Sequence, residues 1–395
     1  MGELAILGGE PAFKEKVYAA RPYIADLTDF RKYLDDIFES RFLTNAGKYV
    51  QELEKRIADM HGVKHCIAAC NGTIALQMAI NALGLAGEVI CPSFTFIGTA
   101  HALMWQGVRP VFCDVEPDTL TIDPARAAEL VTPLTTGIIG VHIFGNPCRI
   151  QELTDLCRGK RLKLLFDAAH AFATSYKGKM IGSFGDAEVF SFHATKFFNT
   201  FEGGAVLTDD DDLAYQIRML KNFGFTTYDT VSYLGINGKM CEVAAAFGVA
   251  TLPQVGARME RNRLIYECYR RELEGIPGIT LQGFNPEAEV NHQYVAIRVE
   301  SDEYGLSRDR LYELLWKENI MARRYFYPGC HLMEPYRSLM PKAGLHLPVT
   351  ESICGKVLCL PCFFDLAEDD AAKIAGVIRT AHERRKEVER AAKQT

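Results

Sequence analysis

The sequence predicts an α/β fold in which a largely parallel sheet carries helices on both faces. Short apolar segments typical of strands alternate with longer amphipathic segments typical of helices from residue 66 onwards. Chains that alternate in this way form parallel sheets, because each helix returns the chain to the same end of the sheet. The length of 395 residues also leaves room for a second, smaller domain.

The larger predicted domain spans residues 1–255 and begins with a lead-in segment. That segment contains a helix over 27–38, a loop over 42–47 and a second, amphipathic helix over 48–60. The strands predicted after it cover 66–69, 88–91, 109–114, 137–144, 163–166, 187–192 and 205–208. The helices predicted among these strands cover 74–83, 97–106, 124–131, 150–157 and 211–221.

The second predicted domain spans residues 256–395 and is of the α+β type. Before it, the segment 222–240 is polar, aromatic and Gly-rich without a clear period, which is typical of a long functional loop. Helices over 241–252 and 254–273 then lead into the domain. Within it we expect strands near 279–282 and 293–299 and helices over 307–318 and 368–389.

Composition argues against several classes of partner. The formal net charge of −6 does not suit a nucleic-acid surface, and no apolar run approaches the roughly 20 residues of a membrane span. The N-terminal residues lack the basic start and apolar core of a signal peptide. Most of the 12 cysteines lie in apolar runs, as buried thiols of a cytoplasmic protein do. The lone CxxC, at Cys359 and Cys362, has no second ligand pair, so we expect no metal site.

Reactive side chains follow two of the predicted strands. Asp167 ends the run 163–166, His170 comes three residues later, and Lys196 follows the run 187–192. Open α/β sheets place ligand chemistry at such strand ends. Burial of Lys196 among phenylalanines would lower its pKa and favour the neutral amine that forms a Schiff base. With a carboxylate for a pyridinium nitrogen, the set meets the needs of pyridoxal 5'-phosphate (PLP).

Each of these signals has an ordinary alternative. The turn Asn71-Gly72-Thr73 stands between a predicted strand and a predicted helix, where free N–H groups bind phosphate, but an N-cap turn looks the same. Phe96 can stack on a flat cofactor or pack in the core. A lone lysine is commonly solvated, and a strand-end aspartate is commonly a turn residue. Only the ordered set favours PLP.

Several motifs agree in order and spacing with one known family. They are Asn71-Gly72-Thr73, Pro92-Ser93-Phe94-Thr95-Phe96, Asp167-Ala168-Ala169-His170, Ser191-Phe192-His193-Ala194-Thr195-Lys196, Glu202-Gly203-Gly204 and Gly235-Ile236-Asn237-Gly238-Lys239-Met240. With them the chain, from Phe42 to Pro361, resembles the DegT/DnrJ/EryC1/StrS family of PLP-dependent sugar aminotransferases. The resemblance implies the aspartate-aminotransferase fold (fold type I). It also implies a mostly parallel seven-stranded sheet in the large domain and a homodimer with shared active sites.

The resemblance implies a role for each matched residue. Lys196 is the Schiff-base lysine, Asp167 pairs with the pyridinium nitrogen and His170 lies near the ring oxygen. Phe96 takes the ring-stacking position, and Asn237 reaches the phosphate of the neighbouring subunit's cofactor. The phosphate itself is held by Gly72, Thr73 and Ser191.

The resemblance also implies substrates. The form SFHATKFFNTFEGG is closest to members that aminate carbon 4 of a dTDP-linked 4-keto-6-deoxyhexose, with L-glutamate as amino donor and pyridoxamine phosphate (PMP) as the intermediate cofactor form. Members acting at carbon 3 more often have an Asp where this chain has Glu202. The segment 323–331 resembles a loop at the subunit boundary, although an ordinary strand and turn would look similar. The residues expected to touch substrate are Thr44, His193, Arg323, Tyr325 and His331.

Other functions remain open at this stage. One is a 3-keto sugar nucleotide aminotransferase of the same family. A related dehydratase is disfavoured, because such members carry His in place of the lysine at Lys196. A non-catalytic PLP-binding regulator would usually carry an extra DNA-binding domain. An inactive homologue is disfavoured by the intact Asp167, His170 and Lys196.

Overall fold

The computed structural model describes residues 3–24 and 26–392, and its elements follow the predicted alternation of strands and helices. The strands are β1 (Val17–Tyr18), β2 (His65–Ala69), β3 (Glu88–Pro92), β4 (Arg109–Cys113), β5 (Thr135–Val141), β6 (Lys163–Asp167), β7 (Ser175–Tyr176), β8 (Lys179–Met180), β9 (Ala187–Ser191), β10 (Gly204–Thr208), β11 (Ile279–Leu281), β12 (Ala288–Glu289), β13 (Val295–Val299), β14 (Ile320–Met321) and β15 (Val357–Leu360). The α-helices are α1 (Leu27–Ser40), α2 (Lys48–His61), α3 (Gly72–Ala82), α4 (Ile97–Trp105), α5 (Pro124–Glu129), α6 (Ile150–Lys160), α7 (Asp211–Leu220), α8 (Glu242–Thr251), α9 (Val255–Leu273), α10 (Ser301–Tyr304), α11 (Arg308–Lys317), α12 (Tyr336–Leu339), α13 (Pro348–Cys354), α14 (Glu368–Glu383) and α15 (Arg385–Ala392).

A seven-stranded sheet organises the large domain, with the strand order β2-β10-β9-β6-β5-β3-β4. The pairs β3–β4, β3–β5, β5–β6 and β6–β9 are parallel, whereas β10 runs antiparallel to both β2 and β9. The predicted α/β class and the largely parallel sheet are therefore confirmed. Because the parallel strands end at one edge, the residues that follow β2, β3, β6 and β9 are brought together there.

Both faces of this sheet are buried. Side chains along a strand alternate between faces, so Phe166 packs into one apolar cluster and its neighbour Leu165 into another. The first cluster is covered by α2, α6 and α8, and the second by α3, α4 and α7. Burial on both faces explains why the predicted strands read as continuous apolar runs rather than as alternating ones.

The start of α3 is fixed by local chemistry. The Asn71 side chain caps the helix, since its Oδ1 accepts a hydrogen bond of 2.8 Å from the N–H of Ile74. Strand β10 approaches this turn closely, and a Cβ on Gly204 would lie 2.7 Å from the nitrogen of Gly72. Only glycine fits at position 204, which accounts for the Gly pair that the sequence places there.

The small domain is built on the antiparallel sheet β11-β13-β15. Its core draws on α9, α11 and α14. The helix predicted over 368–389 is interrupted at Arg384, where α14 ends and α15 begins. The interruption redirects the chain so that Val388 is fully buried in this core. In the described ranges, no helix is long and apolar enough to cross a bilayer.

Residues 4–18, the N-terminal segment, pack with the small domain, whereas the helices α1 and α2 that follow pack with the large domain. Leu4 is part of the C-terminal apolar cluster, and β1 pairs with β14 in parallel. The two-residue strands β1 and β14 are too short to be predicted from a hydrophobic pattern. Helix α9, which starts at Val255, begins the part of the chain that forms the small domain's core.

The buried carboxylate of Glu318 holds this segment in place. Its Oε1 accepts a hydrogen bond of 2.7 Å from the N–H of Ala5, and its Oε2 accepts one of 2.7 Å from the N–H of Ala12. Glu318 is 2% exposed, so water cannot replace either bond. Both oxygens act as acceptors, which a carboxylate can do and an amide cannot.

We expect Glu318→Gln to lower the free energy of unfolding by about 1–3 kcal/mol, because the amide –NH₂ would face a buried N–H group without an acceptor. Urea denaturation measures the change. Glu303→Gln, at an exposed position of α10, is the matched control and should have little effect. Equal stability of the two variants would contradict this account.

Candidate active site

A cavity of about 830 Å³ opens at the carboxyl edge of the parallel strands, between the sheet and the small domain. It brings together residues from positions that are far apart in the sequence. The following predicted site residues line it: Gly72, Thr73, Phe96, Asp167, His170, Ser191, His193, Lys196, Arg323 and Tyr325. This edge is where an open α/β sheet is expected to bind its ligand.

Lys196 lies in the turn that follows β9, and its amine faces the cavity. Its backbone N–H donates a hydrogen bond of 2.8 Å to the carbonyl of His193. The next two residues, Phe197 and Phe198, are buried in the core and hold the turn against the sheet. Burial lowers the pKa of Lys196 to about 8, although the negative charge of Asp167 acts in the opposite direction. A substantial share of the amine is therefore neutral near physiological pH.

Asp167 ends β6 with its carboxylate held from two sides. The Thr99 hydroxyl donates to Oδ2 at 2.8 Å, and the N–H of Ala169 donates to Oδ1 at 3.1 Å. Burial raises the pKa of Asp167, while these two bonds and the charge of Lys196 lower it. The carboxylate is oriented and still has lone pairs with which to accept a hydrogen bond from a cationic ring N–H in the cavity.

His170 is held as a neutral ring. The N–H of Phe144 donates to its Nδ1 at 3.2 Å, so Nδ1 is the acceptor and Nε2 carries the proton. Its ring lies 6.0 Å from that of Phe326 with an interplanar angle of 7°. Burial moves the pKa of His170 well below its usual range, and the nearby Lys196 acts in the same direction. His170 can thus donate one hydrogen bond from Nε2 without bringing a positive charge.

The contact to His170 explains an error in the predicted strand 137–144. Strand β5 stops at Val141, and Phe144 adopts a left-handed conformation with φ 56° inside a short 3-10 turn. This turn directs the N–H of Phe144 towards the imidazole. The apolar run of the sequence continues past the strand end because Ile143 and Phe144, although outside the strand, are buried against residues of the small domain.

The first turn of α3 forms a cradle for an anion. The N–H groups of Gly72 and Thr73 begin the helix, where backbone donors have no partner within the helix. Ser191, at the end of β9, faces them, and a Cβ on Gly72 would lie 2.9 Å from the Cβ of Ser191. The missing side chain keeps open the space in which a phosphate can approach the N–H groups and the Ser191 hydroxyl.

Phe96 is exposed to the cavity and not packed in the core. It is the N-cap residue of α4 and is 58% exposed, whereas Phe94 is fully buried. Of the two alternatives for this aromatic residue, core packing is therefore excluded. An amine, a carboxylate, a neutral imidazole, an anion cradle and an exposed aromatic ring around one cavity fit the functional groups of PLP.

Three predicted site residues do not line the cavity. Thr44 and Asn237 are exposed on the loops that contain them. His331 is buried, with Nδ1 2.7 Å from the Ser93 hydroxyl and Nε2 3.3 Å from Oε1 of Glu351. In this chain the His331 ring is thus engaged in packing loop 323–331 against the end of β3.

Other cavity residues have no clear signal in the sequence. Thr99 orients Asp167, but in the sequence it is one residue among others of a predicted helix, with nothing that marks it as functional. Tyr18 and Trp316 also line the cavity, and Tyr18 is placed there by the pairing of β1 with β14. Glu202 also lines the cavity, and the sequence marks it only through the neighbouring Gly pair.

Comparison with known proteins agrees with this geometry. The model of the DegT/DnrJ/EryC1/StrS aminotransferase family matches residues 26–379. A dTDP-4-amino-4,6-dideoxy-D-glucose transaminase of Escherichia coli is 38% identical over 361 residues, covering 91% of this chain and 96% of that protein. A GDP-perosamine synthase of Vibrio cholerae is 33% identical over 357 residues, covering 88% of this chain and 95% of that protein.

Solved structures show the same fold. The crystal structure of DesI in the presence of its TDP-sugar product superimposes with a TM-score of 0.94 and 42% identity, covering 99% of both chains. Helicobacter pylori PseC, an aminotransferase involved in the biosynthesis of pseudoaminic acid, superimposes with a TM-score of 0.87 and 25% identity, covering 93% of this chain and all of that one. The chain therefore belongs to the DegT/DnrJ/EryC1/StrS aminotransferase family and is a PLP-dependent aminotransferase.

Proposed function

We propose that this enzyme moves the amino group of L-glutamate to the 4-keto carbon of a dTDP-linked 4-keto-6-deoxyhexose. The products would be a 4-amino-4,6-dideoxy sugar nucleotide and 2-oxoglutarate. The observation that carries the proposal is the convergence of the Lys196 amine and the Asp167 carboxylate on one cavity with an anion cradle. Support for the acceptor comes from the transaminases of E. coli and Shigella dysenteriae and from the TDP-sugar product named for DesI.

Lys196 is the base in this proposal. When bound, PLP supplies a ring that accepts the electrons left at the carbon next to the amine. Nζ of Lys196 would hold the cofactor covalently in the resting enzyme. The same amine, once released, would take a proton from the substrate carbon and return it. A pKa of about 8 suits this exchange, since the amine can both accept and return a proton near neutral pH.

Asp167 and His170 control the protonation of the ring. The Asp167 carboxylate would accept from the ring N–H and keep that nitrogen protonated. His170, neutral and protonated at Nε2, would donate to the ring oxygen. Phe96 would stack on the ring, and Gly72 with Thr73 and Ser191 would bind the phosphate.

Arg323 is the cation proposed for the anionic groups of the substrates. Its guanidinium lies over the Tyr325 ring at 5.3 Å, and no carboxylate of the described residues forms an ion pair with it. An unpaired guanidinium in a cavity can bind the carboxylates of L-glutamate in one half of the reaction and the diphosphate of the sugar nucleotide in the other.

We also propose a homodimer with shared active sites. The 222–240 loop exposes large apolar side chains, among them Tyr228 at 97% and Leu234 at 91%. Loop 42–47 lies beside the end of this segment, because the N–H of Glu242 donates to the carbonyl of Leu43 at 3.0 Å. Apolar surface of this kind is typical of an interface between chains. If a second copy binds this surface, Asn237 and Thr44 of the first chain would lie at the cavity of the second chain.

A cytoplasmic location fits the cysteines. All 12 are free thiols, and most of them are buried. Such a set is suited to a reducing compartment.

We expect Lys196→Ala to abolish the visible absorbance of covalently bound PLP and to lower turnover about a thousandfold or more, because both the covalent link and the proton carrier are lost. Absorbance spectra and product formation from L-glutamate and the keto sugar nucleotide measure the two effects. Lys160→Ala, at an exposed position of α6, is the control. Normal transamination by the Lys196 variant would refute the proposed chemistry.

The pH dependence of PLP capture tests the environment of Lys196. Only the neutral amine attacks an aldehyde, so the rate at which the cofactor-free protein binds PLP covalently should rise with pH around a midpoint near 8. Because the Asp167 carboxylate stabilises the protonated amine, Asp167→Asn should move this midpoint to lower pH. A midpoint near that of an ordinary lysine would show that burial does not control this amine. An upward shift in the variant would show that the Asp167 charge does not stabilise the protonated form.

Mixing of two inactive variants tests the shared site. If Asn237 serves the partner's cofactor, a dimer of one Lys196→Ala chain and one Asn237→Asp chain contains one intact site and one doubly altered site. Random reassociation of equal amounts should then restore about a quarter of the wild-type activity, because half of the dimers are mixed and each has one working site. No recovery in a sample that light scattering shows to be dimeric would place Asn237 outside the neighbouring site.

A further inference from the structure

One carboxylate of the cavity has no task in the chemistry described so far. Glu202 lines the cavity together with Lys196, Arg323 and Asp167. Asp167 is buried and engaged by two hydrogen bonds, whereas the Glu202 side chain is 65% exposed. The side chain beside it is that of His193, whose Nε2 lies 3.6 Å from Oε1 of Glu202.

The His193 ring is held in one orientation. Its Nδ1 accepts from the N–H of Thr195 at 3.3 Å and lies 2.9 Å from the Thr195 hydroxyl. The carbonyl of Thr195 in turn accepts from the side-chain amide of Gln293 at 2.7 Å. With Nδ1 as the acceptor, the proton of the neutral ring is on Nε2, the nitrogen that faces Glu202.

Glu202 is fixed through its backbone. Its carbonyl accepts from the hydroxyl of Thr200 at 2.9 Å. A Cβ on the following residue, Gly203, would lie 2.7 Å from Cε of Met240 and would also collide with Thr200. Position 203 therefore accepts only glycine, and the Glu202 carboxylate lines the cavity beside the imidazole of His193.

The pair offers one acceptor and one donor at a separation that a third group can bridge. A distance of 3.6 Å is too long for a strong direct hydrogen bond, so both polar ends retain capacity for a partner. A hydroxyl group can donate to the carboxylate and accept from the Nε2–H at the same time. Carboxylates and phosphates cannot, because Glu202 repels them.

Charge thus divides the cavity into two regions. Arg323 attracts the anionic groups of both substrates, whereas Glu202 opposes the two carboxylates of L-glutamate. The acceptor differs from the donor in carrying a neutral ring with hydroxyl groups. We propose, on the basis of the function proposed above, that Glu202 and His193 bind hydroxyl groups of the acceptor's sugar ring and take no part in binding L-glutamate.

The position of the pair links it to the site of amination. Lys196 follows His193 by one turn of the chain, and the N–H of Lys196 donates to the carbonyl of His193. His193 and the amine that serves the reacting carbon thus belong to one hydrogen-bonded turn, and Glu202 faces that turn through the His193 ring. A ring hydroxyl held between Glu202 and His193 would therefore help to set which ring carbon faces Lys196.

The two half-reactions can be measured separately, which gives a direct test. We expect Glu202→Gln to leave the conversion of the PLP form by L-glutamate unchanged within about twofold, as followed by absorbance. The reaction of the PMP form with a dTDP-4-keto-6-deoxyhexose should lose about tenfold to hundredfold in kcat/KM, as expected for a hydrogen bond to a charged group. Glu289→Gln, at an exposed position of β12, is the matched control.

Acceptors that each lack one ring hydroxyl identify the hydroxyl group that Glu202 binds. The deoxy sugar nucleotide that lacks the bound hydroxyl should react more slowly with the wild-type enzyme. With this substrate, Glu202→Gln should cause no further loss in kcat/KM. His193→Phe should show the same selective loss in the second half-reaction.

Equal losses in both half-reactions, with an unchanged thermal melt, would overturn the inference, since Glu202 would then only support the Lys196 turn. So would a loss confined to the glutamate half-reaction, or full activity of Glu202→Gln with every acceptor. Failure of the wild-type PMP form to aminate any keto sugar nucleotide would instead refute the proposed function, and the present inference with it.

Discussion

The electrostatic attraction between the Asp167 carboxylate and the Lys196 amine, in a poorly solvated cavity, is the interaction on which the site depends. Burial disfavours the charge on both groups, while each group favours the charge on the other. The result is an amine whose pKa is about 8 next to a carboxylate that Thr99 and Ala169 hold in place. A deeper cavity would neutralise both groups, and an open one would leave the lysine protonated.

The order of the strands in the sheet places these two residues next to each other. Asp167 is the last residue of β6, and Lys196 follows the neighbouring β9, so parallel pairing alone places them at one edge. Strand β10 then presses the turn before α3 against Ser191 through the register of Gly204. Amine, carboxylate and anion cradle are thus consequences of strand order, and the small domain and the N-terminal segment supply the rest of the cavity.

Much of this could be predicted because the signals are local. Asn71 caps its own helix, and Asp167 and Lys196 lie at ends of apolar runs, so short windows of sequence contain the relevant physics. The position of Tyr18 at the cavity could not be found in this way, because it depends on the pairing of two-residue strands about 300 residues apart. His331 was expected at the substrate, but Ser93 and Glu351 engage its ring in this chain, a contact that no periodicity encodes. The interruption at Arg384 likewise reflects tertiary burial of Val388 and not helix propensity.

The anchoring of the N-terminal segment by Glu318 has a consequence for how the protein is handled. Residues 18–20 line the cavity; Tyr18 pairs with β14, and the residues before it are anchored at Glu318, directly after α11. A truncation designed to trim a seemingly dispensable leader would remove one side of the reaction chamber. It would also remove apolar side chains that pack on the core of the small domain. Truncated variants should therefore be tested for stability as well as for activity.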